Sequence, residues 1–177
     1  NYSIAFTEGV YYIAEATYDM SDIYIEDQTF VYDGEEHYAM LLGDLPVGPD
    51  GVEFTVNYDG GATNVSDGRV LTTVTVISNS TNYAHVEMTL SAYVEITPRA
   101  LTVTANDVSV TYGDDEAELS YVTDGLVDGD EIAVELVREA GDNAGEYAIS
   151  YSVLEAGDNY DVTFIGGKYV IGKVQVA

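Results

Sequence analysis

The chain has no cysteine, no tryptophan and only five lysines and arginines among its 177 residues. Without cysteine there is neither a disulfide framework nor a thiolate metal site. Five cations against 32 aspartates and glutamates leave a net charge of −27. Such a surface repels other polyanions, which argues against nucleic acid and anionic membranes as partners. No apolar run approaches the roughly 18 residues a membrane-spanning helix needs, so no membrane insertion is expected of this segment. Lysine occurs only as Lys168 and Lys173, so a Lys–Asn isopeptide bond cannot be a general feature here. Gln28 and Gln175 are the only glutamines, which weakens a Thr–Gln ester as well. No internal cross-link is expected.

What the chain does have is apolar and aromatic mass: 46% hydrophobic residues and 16 tyrosines. That is enough to build a core, so the acid belongs on the surface rather than signalling disorder. Self-repulsion follows, relieved by salt or divalent cations. Period-two alternation runs throughout. Val52, Phe54, Val56 and Tyr58 share one face of VEFTVNY. Tyr147, Ile149, Tyr151 and Val153 share one of EYAISYSV, and Leu101, Val103 and Ala105 one of LTVTA. VLTTVTVI is almost wholly β-branched. The Gly/Asp/Asn clusters YDGG, SDGR, TDGLVDGDE, AGDNAGE and EAGDN between these runs are turn formers. Strands and turns at 8–12-residue spacing predict an all-β chain of sandwich type. No stretch makes a convincing amphipathic helix. GEEHYAMLLGDL, residues 34–45, could hold a turn or two of helix or a bulged strand.

The chain opens on NYSIAFTEGVYYI, residues 1–13, and nearly closes on NYDVTFIGGKYVI, residues 159–171. A looser copy, NYAHVEMTLSAYVEI, occupies residues 82–96. Starts at Asn1, Asn82 and Asn159 give a period near 80 residues, the size of a small domain. The expectation is a tandem array in which residues 1–21 are the terminal strands of a preceding repeat plus a linker, 22–97 a first repeat and 98–177 a second. The absence of an initiator methionine or signal peptide agrees with a piece of a longer chain. Thr97-Pro98 is the natural joint, short and stiff because proline fixes φ and biases its predecessor to extended geometry. The tail at 1–13 would pack on a neighbouring molecule or complete the first domain, since an unpaired apolar strand is a liability.

ITPRALTVTANDVSVTYGDDEAELSYVTDGLVDGDEI, followed by AGEYAISY and NYDVTFIGGKYVI, resembles the MBG domain family. The first repeat, with YDG at 32–34 and NY at 82–83, is similar to the YDG-type tandem β-repeats of bacterial surface proteins. It departs from the pattern at Gly68-Arg69-Val70, where a Gly-x-Tyr is expected. The resemblance implies two tandem Ig-like β-sandwich modules, or alternatively β-grasp-like ones, in an extracellular, adhesin-like protein of a bacterial cell surface. The residues that carry it are turn and core residues. They specify a fold and no chemistry.

Catalysis has little to stand on. His37 and His85 lack any partner in sequence and do not recur in the second repeat, and no nucleophile, phosphate-binding or zinc motif is present. No enzymatic activity and no cofactor are expected. Acidic turns at 112–118 and 123–135 offer oxygens to calcium, with Asp128, Asp130 and Glu131 as candidate ligands. The first repeat keeps only Asp44, Asp50 and Glu53 there. Sugar stacking on tyrosine is the other option. Tyr2, Tyr83 and Tyr160 recur, as do Tyr11, Tyr93 and Tyr169, and Tyr32 and Tyr112, which fits core or corner positions better than a site. Tyr18, Tyr24 and Tyr58 do not recur and are the candidate ligand-binding residues. The expected function is a non-catalytic stalk or spacer whose partners are neighbouring repeats of the same chain. The alternative is an adhesive module for a host glycan or protein, stabilised by calcium.

Overall fold

A computed structural model describes residues 1–48, 51 and 53–174. Asp50 of the acidic loop and Gln175 lie outside the described residues. Among the described residues the β-branched and alternating runs become eleven strands. The first four are β1 (Gln28–Val31), β2 (Phe54–Asp59), β3 (Val70–Ser78) and β4 (Glu87–Thr97). The other seven are β5 (Arg99–Ala105), β6 (Val108–Thr111), β7 (Tyr121–Asp124), β8 (Ala133–Arg138), β9 (Gly145–Glu155), β10 (Tyr160–Ile165) and β11 (Gly167–Gly172). The described residues hold no α-helix, only a 3-10 turn at Val65–Asp67. The stretch 34–45 makes neither helix nor strand. It contributes isolated rungs, His37 to Ala62 and Leu42 to Tyr24.

The two halves repeat one topology. The first has a four-stranded sheet in the order β1-β4-β3-β2 and the second one in the order β6-β11-β9-β8. In each, the short first strand runs parallel to the last, and the rest pair antiparallel. Aspartate ties the same corner in both: Asp27 Oδ1 accepts the Tyr93 N–H and Asp107 Oδ1 the Lys168 N–H. The second half adds a three-stranded sheet, β10-β5-β7, with β10 and β5 parallel. In the first half that sheet shrinks to single rungs. Ala16 pairs in parallel with Tyr83 as Arg99 does with Tyr160, and Tyr24 pairs antiparallel with Leu42. A turn closed by Ile23 N–H to Met20 O interrupts the strand in between. The expected boundary at 21/22 therefore falls inside the contacts of the first module, which reach back to Ala16. Residues 1–15 carry no regular secondary structure, and Tyr2, Ile4, Phe6, Val10, Tyr11, Tyr12 and Ile13 face solvent.

Register decides which tyrosines enter the core. Val94 opposes Gln28 and Tyr169 opposes Val108, so Val94, not Tyr93, is the counterpart of Tyr169. Val94 and Tyr169 are buried, while Tyr93 lies on the outer face beneath the Arg69 guanidinium. The two extra residues in the middle copy shift the tyrosine by one position, which on a strand moves it to the other face. A second shift occurs where Glu135 pairs with Val153 but Leu136 with Tyr151. This bulge re-aims β9, so Leu154 faces the core and Tyr151 is largely exposed, against the plain alternation expected over 147–153.

Three apolar clusters follow the chain. Phe54, Val74 and Val76 centre the upstream end, with Tyr18, Tyr58 and Met88 around them. Ala105, Ile149, Tyr169 and Ile171 centre the downstream end. Between them a single cluster joins Tyr32, Ala39, Ala62, Val94 and Ile96 of the first half to Leu101, Val103 and Tyr160 of the second. The modules are thus not beads on a solvated linker. Their apolar core is continuous across Thr97-Pro98.

Candidate functional site

The joint between the halves gathers side-chain hydrogen bonds from both of them. β4 runs through Pro98 directly into β5, so the last rung of one sheet places the first strand of the next. Tyr32 ends the β1 segment of the first module, its N–H bonded to Thr97 O at 2.9 Å. Its hydroxyl donates across the joint to Asp130 Oδ2 at 3.0 Å. Tyr160, at the start of β10, donates to the same oxygen. Its hydroxyl oxygen in turn accepts the Val127 N–H at 3.0 Å. The two rings meet edge to face with centroids 5.5 Å apart, a geometry favoured by the ring quadrupole. Beside them, Asn159 Oδ1 accepts the Val65 N–H at 2.9 Å and Asn159 Nδ2 donates to Asn64 Oδ1 at 2.9 Å. Arg99 Nε donates to Gly125 O at 2.8 Å. Gly125 adopts φ +99°, and a Cβ there would overlap the Ala100 carbonyl, so this close approach requires glycine.

The environment holds both phenols protonated. Burial, followed by the Asp130 carboxylate, pushes the Tyr160 hydroxyl up to about 12. The hydrogen bond to Asp130 is the main cause of the upward shift at Tyr32. A carboxylate stabilises the protonated phenol because it needs the donor.

Asp130, a calcium candidate, therefore serves two tyrosine hydroxyls. Asp128 and Glu131 are exposed neighbours, Asp128 lining a shallow recess with Asp33, Arg99, Leu126 and Val127. Among the described residues no group of three or more His, Asp or Glu side chains is arranged to hold a metal. In the first module, the Glu53 carboxylate is 5% exposed, lies against Gly48, and neither oxygen has a hydrogen-bond partner among the described residues.

Of the tyrosines singled out as ligand candidates, Tyr18 and Tyr58 pack on one apolar cluster and Tyr24 stands apart from it. Tyr18 stacks on Tyr83 at 4.2 Å and tilts against Phe54 at 4.7 Å, its hydroxyl buried and without a hydrogen-bond partner among the described residues. Tyr58 packs on the same upstream cluster and accepts the Leu41 N–H at 3.3 Å. Tyr24 is exposed at a strand rung. His37 Nε2 lies 2.9 Å from Asp33 Oδ1 with its ring stacked on Phe30, and His85 stands 3.9 Å from Glu87. Lys168 pairs with Glu146 at 3.2 Å.

Sequence reasoning missed the joint because its members are 26 to 98 residues apart. One signal was present: Asn159-Tyr160 and Tyr32 recur across repeats without an evident chemical purpose.

A second concavity, about 350 Å³, opens at the downstream end of the second module. It is lined by Tyr112, Asp114, Glu116, Arg138, Asp142 and Tyr169, among others. Arg138 lies over the Tyr169 ring at 4.8 Å and is bonded to Glu116 at 2.7 Å.

Residues 101–170 match the family model of the MBG domain (YGX type), with Tyr112-Gly113-Asp114 as the YGX stretch. The match runs from β5 into β11 and so covers the second module. No curated protein matches the chain.

Proposed function

Starting from a second module of MBG type, a kind of repeat module found in surface proteins, we propose that this chain is a non-catalytic spacer segment of a bacterial surface or secreted protein. Its task is to hold whatever it carries at a fixed distance and angle. The single observation that carries this reading is the joint. A spacer made of flexibly tethered domains transmits neither direction nor load. Here two hydroxyls converge on one carboxylate, an asparagine bridges the modules, and the apolar cluster is shared. Interfaces between domains of one chain ordinarily allow relative motion unless they are large and hydrophobic. Continuity of β4 into β5 through proline, with apolar packing on both sides, supports a stiff connection.

Rigidity then comes from packing rather than from like-charge repulsion between neighbours, the source the net charge alone suggests. The Ig-like sandwich reading is supported in the second module by its division into a four-stranded and a three-stranded sheet, of which the first module keeps the four-stranded one and isolated rungs of the other. A grasp-type module would need a helix against its sheet, and the described residues hold none.

Small-angle scattering of dilute protein tests the spacer reading. A packed joint keeps the same maximum dimension as salt rises from about 0.02 to 0.5 M, over which the Debye length falls severalfold. Contraction in high salt would mean that repulsion, not packing, holds the modules apart, and the proposal would fail.

A further inference from the structure

Tension along a chain is resisted by the bonds that join a module's entering strand to its leaving strand. In the second module the entering segment is β5 followed by β6, and the leaving segment is β10 followed by β11. The two segments run side by side and parallel through both sheets. Arg99 opposes Tyr160, and the pairing holds as far as Thr104 opposite Ile165. Both segments then cross to the other sheet, where Val108 opposes Tyr169 and Thr111 opposes Gly172. At the crossing, Asp107 Oδ1 accepts the Lys168 N–H at 2.7 Å. Beyond it, the Tyr112 N–H bonds to Gly172 O at 2.8 Å. Force enters at the start of β5 and leaves at the end of β11. On parallel strands these two pulls oppose each other along the strand axis. Every rung then carries load at once, whereas pulling two strands apart from one end breaks the rungs one at a time.

The first module has the same layout with a shorter ladder. Its β1 and β4 pair from Gln28 opposite Val94 to Val31 opposite Thr97, as long a run as β6 makes with β11. The upstream part is nearly lost. Ala16 opposes Tyr83, and among the described residues no further rung joins the two segments before β1. The sequence accounts for the loss. Asp27 follows Ala16 by eleven positions where Asp107 follows Arg99 by eight. Val94 follows Tyr83 by eleven positions where Tyr169 follows Tyr160 by nine. The extra residues on the entering side include the turn closed by Ile23 N–H to Met20 O. A parallel ladder needs both segments in step, so unequal insertions break its register.

We propose that the second module is a shear-loaded lock for tension carried along the chain, and that the first module is the weaker link that yields before it. β4 runs through Pro98 into β5, so tension reaches the two modules in series. Yielding of the first module, from Ala16 to Thr97, releases roughly 80 residues, up to about 280 Å of extended chain, while the second stays closed. A pull is thereby absorbed by lengthening before the second module gives way. The order under force is set by each module's unfolding barrier along the pulling direction, not by equilibrium stability. Modules that melt together therefore still rupture in sequence. Resistance to tension goes beyond the spacer role and does not rest on it. A chain can keep its dimensions in every salt and still open early under load, or the reverse, so the scattering result and the pulling result stand apart.

Single-molecule pulling of the whole chain tests both parts. The chain has no cysteine, so introduced ones are unique attachment points. Asn1, Ala100, Asp158 and Lys173 are all exposed, and the melting curve of each variant checks its fold. Handles at Ala100→Cys and Lys173→Cys load the second module in its natural direction. Handles at Ala100→Cys and Asp158→Cys pull apart the neighbouring starts of β5 and β10 and so peel the same ladder. Rupture through the first pair should need severalfold higher force than through the second. Equal forces in the two directions overturn the shear lock. With handles at Asn1→Cys and Lys173→Cys, two ruptures should appear, and the later, stronger one should match the force of the Ala100–Lys173 pair. A weaker rupture that matches that pair, or one rupture that opens both modules, overturns the order.

Discussion

Asp130 accepts hydrogen bonds from Tyr32 and Tyr160 on one carboxylate oxygen. Asp130→Ala leaves two phenols without their acceptor in a largely dry joint. The expected loss is about 1–3 kcal/mol, the desolvation cost of unpaired polar groups, measured by urea denaturation. The same arrangement gives a pH dependence. Tyr160 titrates at about 12 when folded, above the ordinary 10.0 of a tyrosine. A raised folded value means that its proton adds to stability below pH about 10, and that this contribution is lost as pH rises through about 12. Tyrosinate absorbance in the folded protein should show one phenol titrating last, near that value, and Asp130→Asn should bring it down. Titration of every tyrosine near pH 10 contradicts the assignment. Glu53 presents the opposite situation, a buried carboxylate with no donor among the described residues. Glu53→Met removes the unpaired group while keeping an unbranched chain of similar reach. It should raise stability by about 1–3 kcal/mol in the same assay. A loss there would mean that Glu53 has a partner in the folded protein.

At the scale of elements, β5 belongs to two structures at once. It is the central strand of the second module's three-stranded sheet and supplies Leu101 and Val103 to the cluster under the joint. Leu101→Ala should cost about 2–5 kcal/mol, the range for emptying a leucine site in a packed core. It should also lower the melting temperature of both modules together, followed by backbone amide signals from β3 and β9. Loss of the β9 signals alone would place Leu101 in one module only. The strands themselves were readable from residue type. Alternation in LTVTA, in Phe54, Val56 and Tyr58, and in the β-branched run at 70–77 gave the faces observed, because side-chain direction on a strand is a local property, while Val52 lies outside the described residues and the buried Glu53 departs from the alternation. Two features were not readable. The β9 bulge and the one-position shift at Tyr93 depend on which residue opposes which across the sheet. The carboxylate at the joint looked like a calcium ligand because sequence shows the acid but not the two hydroxyls folded onto it.

At the scale of the whole molecule, the repeated topology and the shared core must be weighed together. The four-stranded sheets of the two halves recur strand for strand, down to the aspartates that tie Tyr93 and Lys168. Yet one apolar cluster takes residues from both, and Tyr32 and Tyr160 are buried within it. Repeat proteins with large interfaces between neighbours unfold as coupled rather than independent units. A period of 80 residues shows the units in the sequence. The coupling lies in long-range contacts that no period reveals. Calorimetry of the whole chain tests it most directly. Coupled modules give one transition whose van't Hoff enthalpy equals the calorimetric enthalpy. Two resolved transitions, or a van't Hoff enthalpy near half the calorimetric value, would show that the modules unfold separately and would contradict a shared core.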